Sequence, residues 1–273
     1  MFVEAIKGAA TATEIYKQRK SIAVSISKLI QWIRRKNVIL AVFGAGGCGK
    51  STLGLLMRGD LKPDTGAGGY EETTGVEKFS LSGNTLGYLI IPPGQSHRIP
   101  QTWPELFRLI SAGKSNRIIN VVAAGFHSTE LEKSRIFPGQ VFDTDDAFIK
   151  AYIDDNLLRE INALREIVPH IIAAPGKVKM VTLITKQDLW WTNRHMVEDS
   201  YSAGEYGKLI SEITSRKGTA SFSHTYVSAA LVKQNLKTAD GVAIAPTIAG
   251  YDDSTRNTNL RNASSKLLQL VGR

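Results

Sequence analysis

The stretch of sequence that matters most for the fold lies between residues 44 and 51 and reads Gly44-Ala45-Gly46-Gly47-Cys48-Gly49-Lys50-Ser51. It matches the pattern G-x-x-x-x-G-K-[ST], in which the glycines let successive backbone N–H groups point at a phosphate. The lysine adds a full positive charge, and the serine hydroxyl suits Mg²⁺. The apolar run 38–43 predicts a strand before this stretch, and a helix is predicted from residue 50 to about residue 57. Because a phosphate loop needs this strand–loop–helix context, the sequence predicts a nucleotide-binding site at 44–51 that extends to Thr52.

The rest of the chain reads as short apolar strands that alternate with helices. Strands are predicted at 76–81, 85–91, 118–124, 178–184 and 224–228, and helices at 105–111, 146–168, within 204–216 and at 254–270. Pro169 is expected to end the helix at 146–168, and residues 126–144 read as irregular. This alternation is typical of a mostly parallel sheet with helices on both faces, so we expect an α/β, doubly wound P-loop fold. Residues 38–273 are interpreted as one nucleotide-binding domain with an insertion around 126–170.

The amino-acid composition excludes several classes of protein. The chain has 273 residues, of which 42% are hydrophobic, so it can build a packed interior and is not disordered as a whole. Cys48 is the single cysteine, which excludes an intrachain disulfide and a cysteine-based zinc site. The first ten residues lack the basic and apolar regions of a secretory signal, and no stretch approaches about 18 consecutive apolar residues. We therefore expect a soluble, cytoplasmic protein.

The positive charge of the chain is concentrated at its beginning. Residues 1–37 contain eight Lys or Arg residues and two glutamates, and so carry +6 of the formal net charge of +9. Isoleucines at helical spacing predict an amphipathic helix over 14–36, and we interpret 1–37 as a basic extension of the domain. This helix could pack on the domain surface, bind a partner, or make a peripheral contact with a membrane. We do not expect nucleic acid to be a partner, since no recognised binding motif accompanies the charge.

Two short motifs predict how a nucleotide base is recognised. Thr185-Lys186-Gln187-Asp188 follows the predicted strand at 178–184, and a carboxylate at Asp188 could accept hydrogen bonds from guanine N1–H and the 2-amino group. Adenine has neither donor, so it would leave Asp188 unpaired. Lys186 could lay its aliphatic stem along the base. Ser228-Ala229-Ala230 follows the strand at 224–228 and could offer a backbone N–H to the guanine oxygen. Taken alone, the first motif is more simply interpreted as a surface loop, and the second is a weaker signal still.

The order of the motifs supplies a further argument. After the phosphate loop come Thr73-Thr74-Gly75, Pro92-Pro93-Gly94-Gln95, Thr185-Lys186-Gln187-Asp188 and Ser228-Ala229. This is the order of the five motifs of Ras-like GTPases, and over about 38–230 the chain resembles that superfamily. The stretch EETTGVEKF, at 71–79, is similar to the first switch of heterotrimeric G-protein α subunits and, more loosely, of Arf and Rab proteins.

The resemblance implies a six-stranded domain that cycles between GTP-bound and GDP-bound forms as a molecular switch and that binds protein effectors or activators. It implies that Ser51 and Thr73 bind Mg²⁺ and that Gly94 senses the γ-phosphate. It further implies that Gln95 orients the attacking water and that Lys50 assists the reaction, which makes these two the candidate catalytic residues.

Three departures from the Ras-like pattern affect the expected activity. Ile91 stands where the third motif has an aspartate that supports Mg²⁺, and Thr185 replaces an asparagine. Tyr70 stands where G-protein α subunits carry an arginine, and no arginine lies between Lys62 and Thr73. Without an arginine finger, we expect slow GTP hydrolysis that a partner could raise by up to roughly 10³–10⁵-fold.

The sequence is also compatible with two other functions. One is a nucleotide-bound interaction module with little or no hydrolysis, which Ile91 favours. The other is a P-loop ATPase or kinase in which the match at 185–188 is accidental. Cys48 also has two interpretations, as a small residue that fills a tight loop or as a redox-sensitive thiol.

Overall fold

The computed structural model describes Val24, Ser27 and residues 38–58, 75–80, 88–128, 130–233, 236–238, 243–245 and 250–271. Val24 and Ser27 are helical, but the rest of the predicted N-terminal helix, Tyr70 and Thr73 lie outside the described residues. The boundary at residue 37 and the insertion around 126–170 therefore stay predictions. No helix in the described part of the chain has the length and apolar character needed to cross a bilayer.

The described residues form an alternating series of strands and helices. The strands are β1 Ile39–Phe43, β2 Glu77–Ser80, β3 Tyr88–Ile91, β4 Arg117–Val122, β5 Glu130–Leu131, β6 Val178–Ile184, β7 Phe222–Ser228, β8 Leu236–Thr238 and β9 Ala243–Ala245. The α-helices with described bounds are α1 Lys50–Arg58, α2 Ile99–Thr102, α3 Pro104–Ser111, α4 Lys133–Ile136, α5 Asp145–Ala173, α6 Gln187–Trp190, α7 Arg194–Ala203, α8 Glu205–Lys217 and α9 Asp253–Val271. Short 3-10 turns cover Ser96–Arg98 and Trp191–Asn193.

Six strands form the main sheet in the order β2-β3-β1-β4-β6-β7. β2 runs antiparallel to β3, and the other neighbours are parallel. Because the carboxyl ends of parallel strands meet at one edge of a sheet, the loops that follow these strands lie together there. The five loops at this edge are 44–49, 92–95, 123–128, 185–186 and 229–233. This arrangement confirms the predicted six-stranded, mostly parallel P-loop sheet.

Helices cover both faces of the sheet, as predicted. β1 illustrates the burial of both faces. Its side chains alternate, so Ala41 and Phe43 point to one side and Leu40 and Val42 to the other. All four are fully buried. One side packs against α3, α5 and α8 through residues that include Leu106, Phe148, Ile167 and Ile213. The opposite side packs against α1 and α9 through residues that include Leu53, Met57, Leu260 and Leu267. A sheet buried on both faces needs strands that are apolar throughout, which explains the apolar runs in the sequence.

One predicted helix boundary is wrong. Pro169 was expected to end the long helix, but it lies inside α5, which continues to Ala173. A proline removes one backbone hydrogen bond and strains the preceding turn. The last turn is nevertheless kept because Ile171 is fully buried in the core and the His170 ring stacks on Phe107, with 4.1 Å between ring centroids. Tertiary packing of these side chains outweighs the local effect of the proline.

Several short elements were not predicted. The region expected to be irregular contains β5 and α4, and a helical segment, α6 to α7, follows Lys186. β5 pairs with β8, and β8 with β9, in a separate three-stranded sheet. These strands have two or three residues each, which is too few for an alternating pattern to be visible. Their pairing connects the loop after β4 to the loop after β7, and Leu131 of β5 and Leu236 of β8 are buried.

Candidate functional site

The loop at 44–49 turns sharply between β1 and α1, and Gly44, Gly47 and Gly49 are required there for two reasons. Gly47 and Gly49 have φ values of +80° and +96°, which L side chains rarely adopt. Space is equally tight, because a Cβ at Gly44 would lie 2.0 Å from the Val121 carbonyl oxygen, and one at Gly47 would lie 2.3 Å from that of His127. The loop therefore packs closely against the end of β4 and the segment that follows it.

Lys50 begins α1 and is held inside the loop. Its side chain is 7% exposed, and Nζ donates to the carbonyl oxygens of Gly44 at 3.0 Å and Ala45 at 2.9 Å. Burial lowers the pKa of Lys50, and the Glu77 carboxylate acts in the opposite direction. The ammonium group is thus placed at the amino end of a helix, where backbone N–H groups already favour an anion.

Cys48 is fully buried within this loop. Its Sγ donates to the Ala45 carbonyl oxygen at 2.7 Å, and burial raises the pKa of the thiol to about 11. A protonated, inaccessible thiol is a poor nucleophile and a poor target for oxidation. The geometry favours the interpretation of Cys48 as a small residue that fills a tight loop over that of a redox-sensitive thiol.

The segment 92–95 lies directly against the phosphate loop. The Gly46 N–H donates to the Gly94 carbonyl oxygen at 2.8 Å. A Cβ at Gly94 would lie 2.3 Å from the Gly44 carbonyl oxygen and 2.4 Å from Lys50 Nζ, so only glycine fits there. The Gln95 side chain lies over the loop, with Cγ 3.6 Å from the position that a Cβ on Gly46 would occupy. The structure therefore brings the residues predicted to sense the γ-phosphate and orient water to the loop predicted to bind phosphate.

Trp103 holds this segment in place, and sequence reasoning did not identify it. Its Nε1 donates to the Pro93 carbonyl oxygen at 2.7 Å, and the side chain is fully buried. The ring packs edge-on against Phe43, with 5.8 Å between centroids. Trp103 lies between α2 and α3, in a stretch where no sequence pattern indicates what its N–H contacts.

Thr185 connects the predicted base-recognition motif to the phosphate loop. Its Oγ1 lies 2.8 Å from the Cys48 carbonyl oxygen and 3.0 Å from that of Val122, and its single proton serves both contacts. A hydroxyl thus makes the loop-bridging contact at the position where the Ras-like pattern has asparagine. The side chain is 1% exposed, so these contacts are shielded from water.

Lys186 and Asp188 follow at the start of α6. Lys186 has left-handed backbone angles, φ 53° and ψ 36°, a strained conformation that turns the chain sharply after β6. Its Nζ donates to the His127 carbonyl oxygen at 2.8 Å, and burial lowers the pKa of Lys186 to about 8. Asp188 is 1% exposed and therefore places a carboxylate inside the site.

The loop after β7 is fixed by α9 and the turn before it. The Ala229 N–H donates to the Ile184 carbonyl oxygen at 3.0 Å, and the Ala230 N–H donates to the Tyr251 hydroxyl at 3.1 Å. For either amide to bind a guanine oxygen, as predicted, it must share or exchange its present bond. Gln187 Nε2 donates to Ser228 Oγ at 2.9 Å, which joins this loop to the 185–188 motif.

Arg256 and Asn259 of α9 complete this support. The buried Arg256 guanidinium donates to the carbonyl oxygens of Ala230 at 3.2 Å and Leu231 at 2.7 Å. Asn259 Nδ2 donates to Gln187 Oε1 at 2.8 Å. The sequence predicts a helix over these residues. No sequence pattern indicates their contacts, because these contacts join the helix to distant loops.

Glu160 of α5 holds the loop after β4, and it too was missed. Its carboxylate is 1% exposed and accepts from the N–H groups of Ala123 at 2.9 Å and Gly125 at 3.3 Å. It also contacts His127 Nε2 at 2.8 Å and the Tyr201 hydroxyl. Burial lowers the pKa of His127, so the neutral ring with Nε2 protonated is the donor. This network positions the His127 carbonyl oxygen between Gly47 and Lys186.

The residues next to Ser51 suit a hard divalent cation. Ser51 Oγ donates to Glu77 Oε2 at 3.2 Å, which places hydroxyl and carboxylate oxygens together at the start of α1. Thr73, the other predicted ligand, lies outside the described residues. Within the described ranges, no group of three or more His, Cys, Asp or Glu residues could hold a metal ion. Mg²⁺ bound here would therefore depend on oxygens of a bound phosphate as well.

Comparison with known proteins gives structural similarity only. No family model matches the chain, and no curated protein matches it. One similar solved structure is the ADP-ribosylation factor-like GTP-binding protein, the small COPII coat GTPase SAR1, from Encephalitozoon cuniculi in complex with GDP. It is 12% identical, with a TM-score of 0.45, over 98% of this chain and 93% of that one.

Another similar structure is a dimerization-deficient mutant of Toc33 from Arabidopsis thaliana. It is 13% identical, with a TM-score of 0.42, over 92% of this chain and 93% of that one. At these identities and TM-scores the similarity carries no functional argument.

Proposed function

We propose that this protein binds GTP and GDP together with Mg²⁺ and hydrolyses GTP slowly. The observation that carries the proposal is the contact of Thr185 Oγ1 with the Cys48 carbonyl oxygen at 2.8 Å. It places the motif predicted to recognise guanine beside the loop predicted to bind phosphates. A single nucleotide could therefore engage both motifs at once.

The phosphate end of the proposed site consists of loop 44–49 and the first residues of α1. Backbone N–H groups of the loop and the helix amino end would surround the phosphates, and Lys50 would contribute its charge. Ser51 Oγ would hold Mg²⁺, which neutralises charge on the phosphate oxygens. Oxygen atoms of Ser51 and Glu77 lie 3.2 Å apart, a donor set that fits this ion.

The base end consists of Lys186 and Asp188. The buried Asp188 carboxylate would accept the two guanine N–H donors that adenine lacks, and this difference is the basis of the proposed specificity. The Lys186 stem is held by the bond from Nζ to the His127 carbonyl oxygen and would pack along the base.

Hydrolysis would depend on Gln95 and Lys50. Gln95 lies over Gly46 and could orient a water molecule toward the last phosphate, while Lys50 stabilises negative charge that develops there. The sequence supplies no arginine near Thr73. We therefore expect an activating partner to raise the rate by up to roughly 10³–10⁵-fold.

A second candidate function is a nucleotide-bound interaction module that hardly hydrolyses GTP. Ile91 favours it, because this 1%-exposed apolar side chain stands where related motifs have a carboxylate that supports Mg²⁺. Single-turnover GTP hydrolysis separates the two functions. It is measured for the wild type and for Gln95→Ala, with and without cell extract as a source of activator. Undetectable hydrolysis by the wild type even with extract would favour the interaction module.

Base specificity is tested by extracting the bound nucleotide from the purified protein and by competition with ATP and GTP. We expect retained GDP or GTP and displacement by GTP in preference to ATP. Asp188→Asn is expected to reduce the preference for guanine by about 10–100-fold, since a bidentate contact to a base is worth about 1–3 kcal/mol. Equal competition by ATP and GTP in the wild type would contradict the proposal and favour an ATPase or kinase.

A further inference from the structure

Position 91 holds isoleucine where the Ras-like third motif has a carboxylate, and the neighbouring strand β2 supplies a carboxylate nearby. β2 pairs antiparallel with β3, and Glu77 is the direct partner of Ile91. Opposed residues of an antiparallel pair project from the same face of the sheet, with their Cβ atoms about 4.5–5.5 Å apart. Glu77 therefore carries a carboxylate on the face where a carboxylate at position 91 would lie.

Glu77 also reaches the predicted magnesium ligand. Ser51 Oγ donates a hydrogen bond to Glu77 Oε2 at 3.2 Å. A hydroxyl has one proton and two lone pairs, so a hydroxyl that binds a cation through a lone pair needs another acceptor for its proton. A carboxylate in that position orients the hydroxyl and makes its oxygen a better ligand.

The neighbouring charges in β2 do not share this geometry. Lys78 follows Glu77 and projects from the opposite face, because side chains alternate along a strand. Its Nζ pairs with Glu105 Oε1 of α3 at 2.9 Å, and both side chains are partly exposed. Glu105 is thus a nearby acidic residue on the other face of the sheet, and it offers a matched control.

We propose that Glu77 replaces the missing carboxylate of the third motif: it accepts the Ser51 hydroxyl proton and so positions Ser51 to bind Mg²⁺. This inference rests on the proposed function, since it concerns the Mg²⁺ of the nucleotide complex. Glu77 is a positioning residue that acts through Ser51. Its presence means that Ile91 does not deprive the site of a carboxylate, which favours slow GTP hydrolysis over the interaction module.

The test measures metal affinity rather than turnover. The full chain, loaded with GDP, is titrated with Mn²⁺ as a probe for the Mg²⁺ site, and free Mn²⁺ is followed by electron paramagnetic resonance. Glu77→Gln is expected to weaken Mn²⁺ binding about 10–100-fold, the usual effect of removing a group that orients a metal ligand. Glu105→Gln removes one negative charge nearby and is expected to bind Mn²⁺ like the wild type. GDP affinity measured in excess EDTA is expected to be the same in all three proteins.

Restoring the carboxylate on the neighbouring strand provides a second readout. The double variant Glu77→Gln/Ile91→Asp is expected to recover most of the lost Mn²⁺ affinity. If burial of the new aspartate prevents folding, Glu77→Asp takes its place, because it keeps the charge and should bind Mn²⁺ more tightly than Glu77→Gln.

Two different failures can be told apart. Mn²⁺ affinity of Glu77→Gln within twofold of the wild type, with GDP still bound, overturns the inference and leaves the proposed function intact. Equal affinities of Glu77→Asp and Glu77→Gln also overturn it. A wild type that binds no guanine nucleotide overturns the proposed function and this inference together.

Discussion

Thr185 and Glu160 show how single polar side chains hold the candidate site together. The Thr185 hydroxyl reaches the Cys48 and Val122 carbonyl oxygens, so one side chain links the phosphate loop, β4 and β6. Glu160 accepts hydrogen bonds from two backbone N–H groups and from the side chains of His127 and Tyr201. A buried carboxylate is costly unless its oxygens are satisfied, and here both oxygens have donors.

Glu160→Gln is expected to destabilise the folded protein by about 2–4 kcal/mol, because the amide group cannot accept on both sides and leaves a buried donor unpaired. Urea unfolding at neutral pH measures this change. Glu166→Gln, at an exposed position of the same helix, is the control and is expected to change stability by less than about 0.5 kcal/mol. A Glu160→Gln variant as stable as the control would contradict the assigned network.

The segment between β3 and α3 behaves as a structural unit. Gly94 accepts from Gly46 of the phosphate loop, and Pro93 accepts from the Trp103 indole. The segment is therefore attached at one end to the site and at the other to the hydrophobic core around Phe43. Any rearrangement of 92–95 must break or carry along the Trp103 contact.

Trp103→Phe is expected to loosen this segment, because it removes the donor to the buried Pro93 carbonyl oxygen at a cost of about 1–3 kcal/mol. Hydrogen exchange followed by mass spectrometry is expected to show faster exchange in peptides that contain Gly46 and Gly94. Trp191→Phe is the matched control, since Trp191 packs against Tyr251 instead, and it should leave these peptides unchanged. Unaltered exchange in Trp103→Phe would argue against this attachment.

The interior of the domain also contains a polar network that couples stability to pH. His224 of β7 lies 2.8 Å from Thr182 Oγ1, and Thr182 in turn contacts the Tyr206 hydroxyl of α8 at 2.8 Å. Asn120 of β4 donates to the same hydroxyl at 2.6 Å. Burial lowers the pKa of His224 to about 4, so the folded protein keeps this ring neutral at neutral pH.

The unfolded chain, with a histidine pKa of about 6.5, binds more protons than the folded protein between pH 6.5 and 4. Stability is therefore expected to fall as the pH decreases through this window, with a contribution from His224 of about 2–4 kcal/mol. Thermal or urea unfolding at steps from pH 7 to pH 4 measures the slope. His224→Gln should flatten it, whereas His195→Gln, at an exposed position, should keep it. Burial also lowers the pKa of His127 and His170, so part of the slope should remain in His224→Gln. Identical slopes in the wild type and His224→Gln would contradict this assignment.

The main sheet and the phosphate loop were predictable because their signals are local. The central strands of the sheet are buried on both faces and are mostly apolar runs, and the loop needs glycines at adjacent positions, so both can be recognised in a few consecutive residues. The prediction of β6 matches the structure residue for residue, and α1 begins at Lys50 as expected. Pro169 shows the limit of local reasoning, since packing of Ile171 and His170 keeps α5 helical beyond it.

The contacts that complete the site join residues far apart in the chain. Thr185 meets Cys48 across 137 positions, and Ser51 meets Glu77 across 26. Which polar groups meet depends on strand order, register and the helices packed on each face, and these are properties of the folded sheet. The sequence therefore determined the parallel fold and its phosphate loop, whereas the burial and partners of Glu160, Trp103 and Glu77 emerged only when the sheet brought separate loops to one edge.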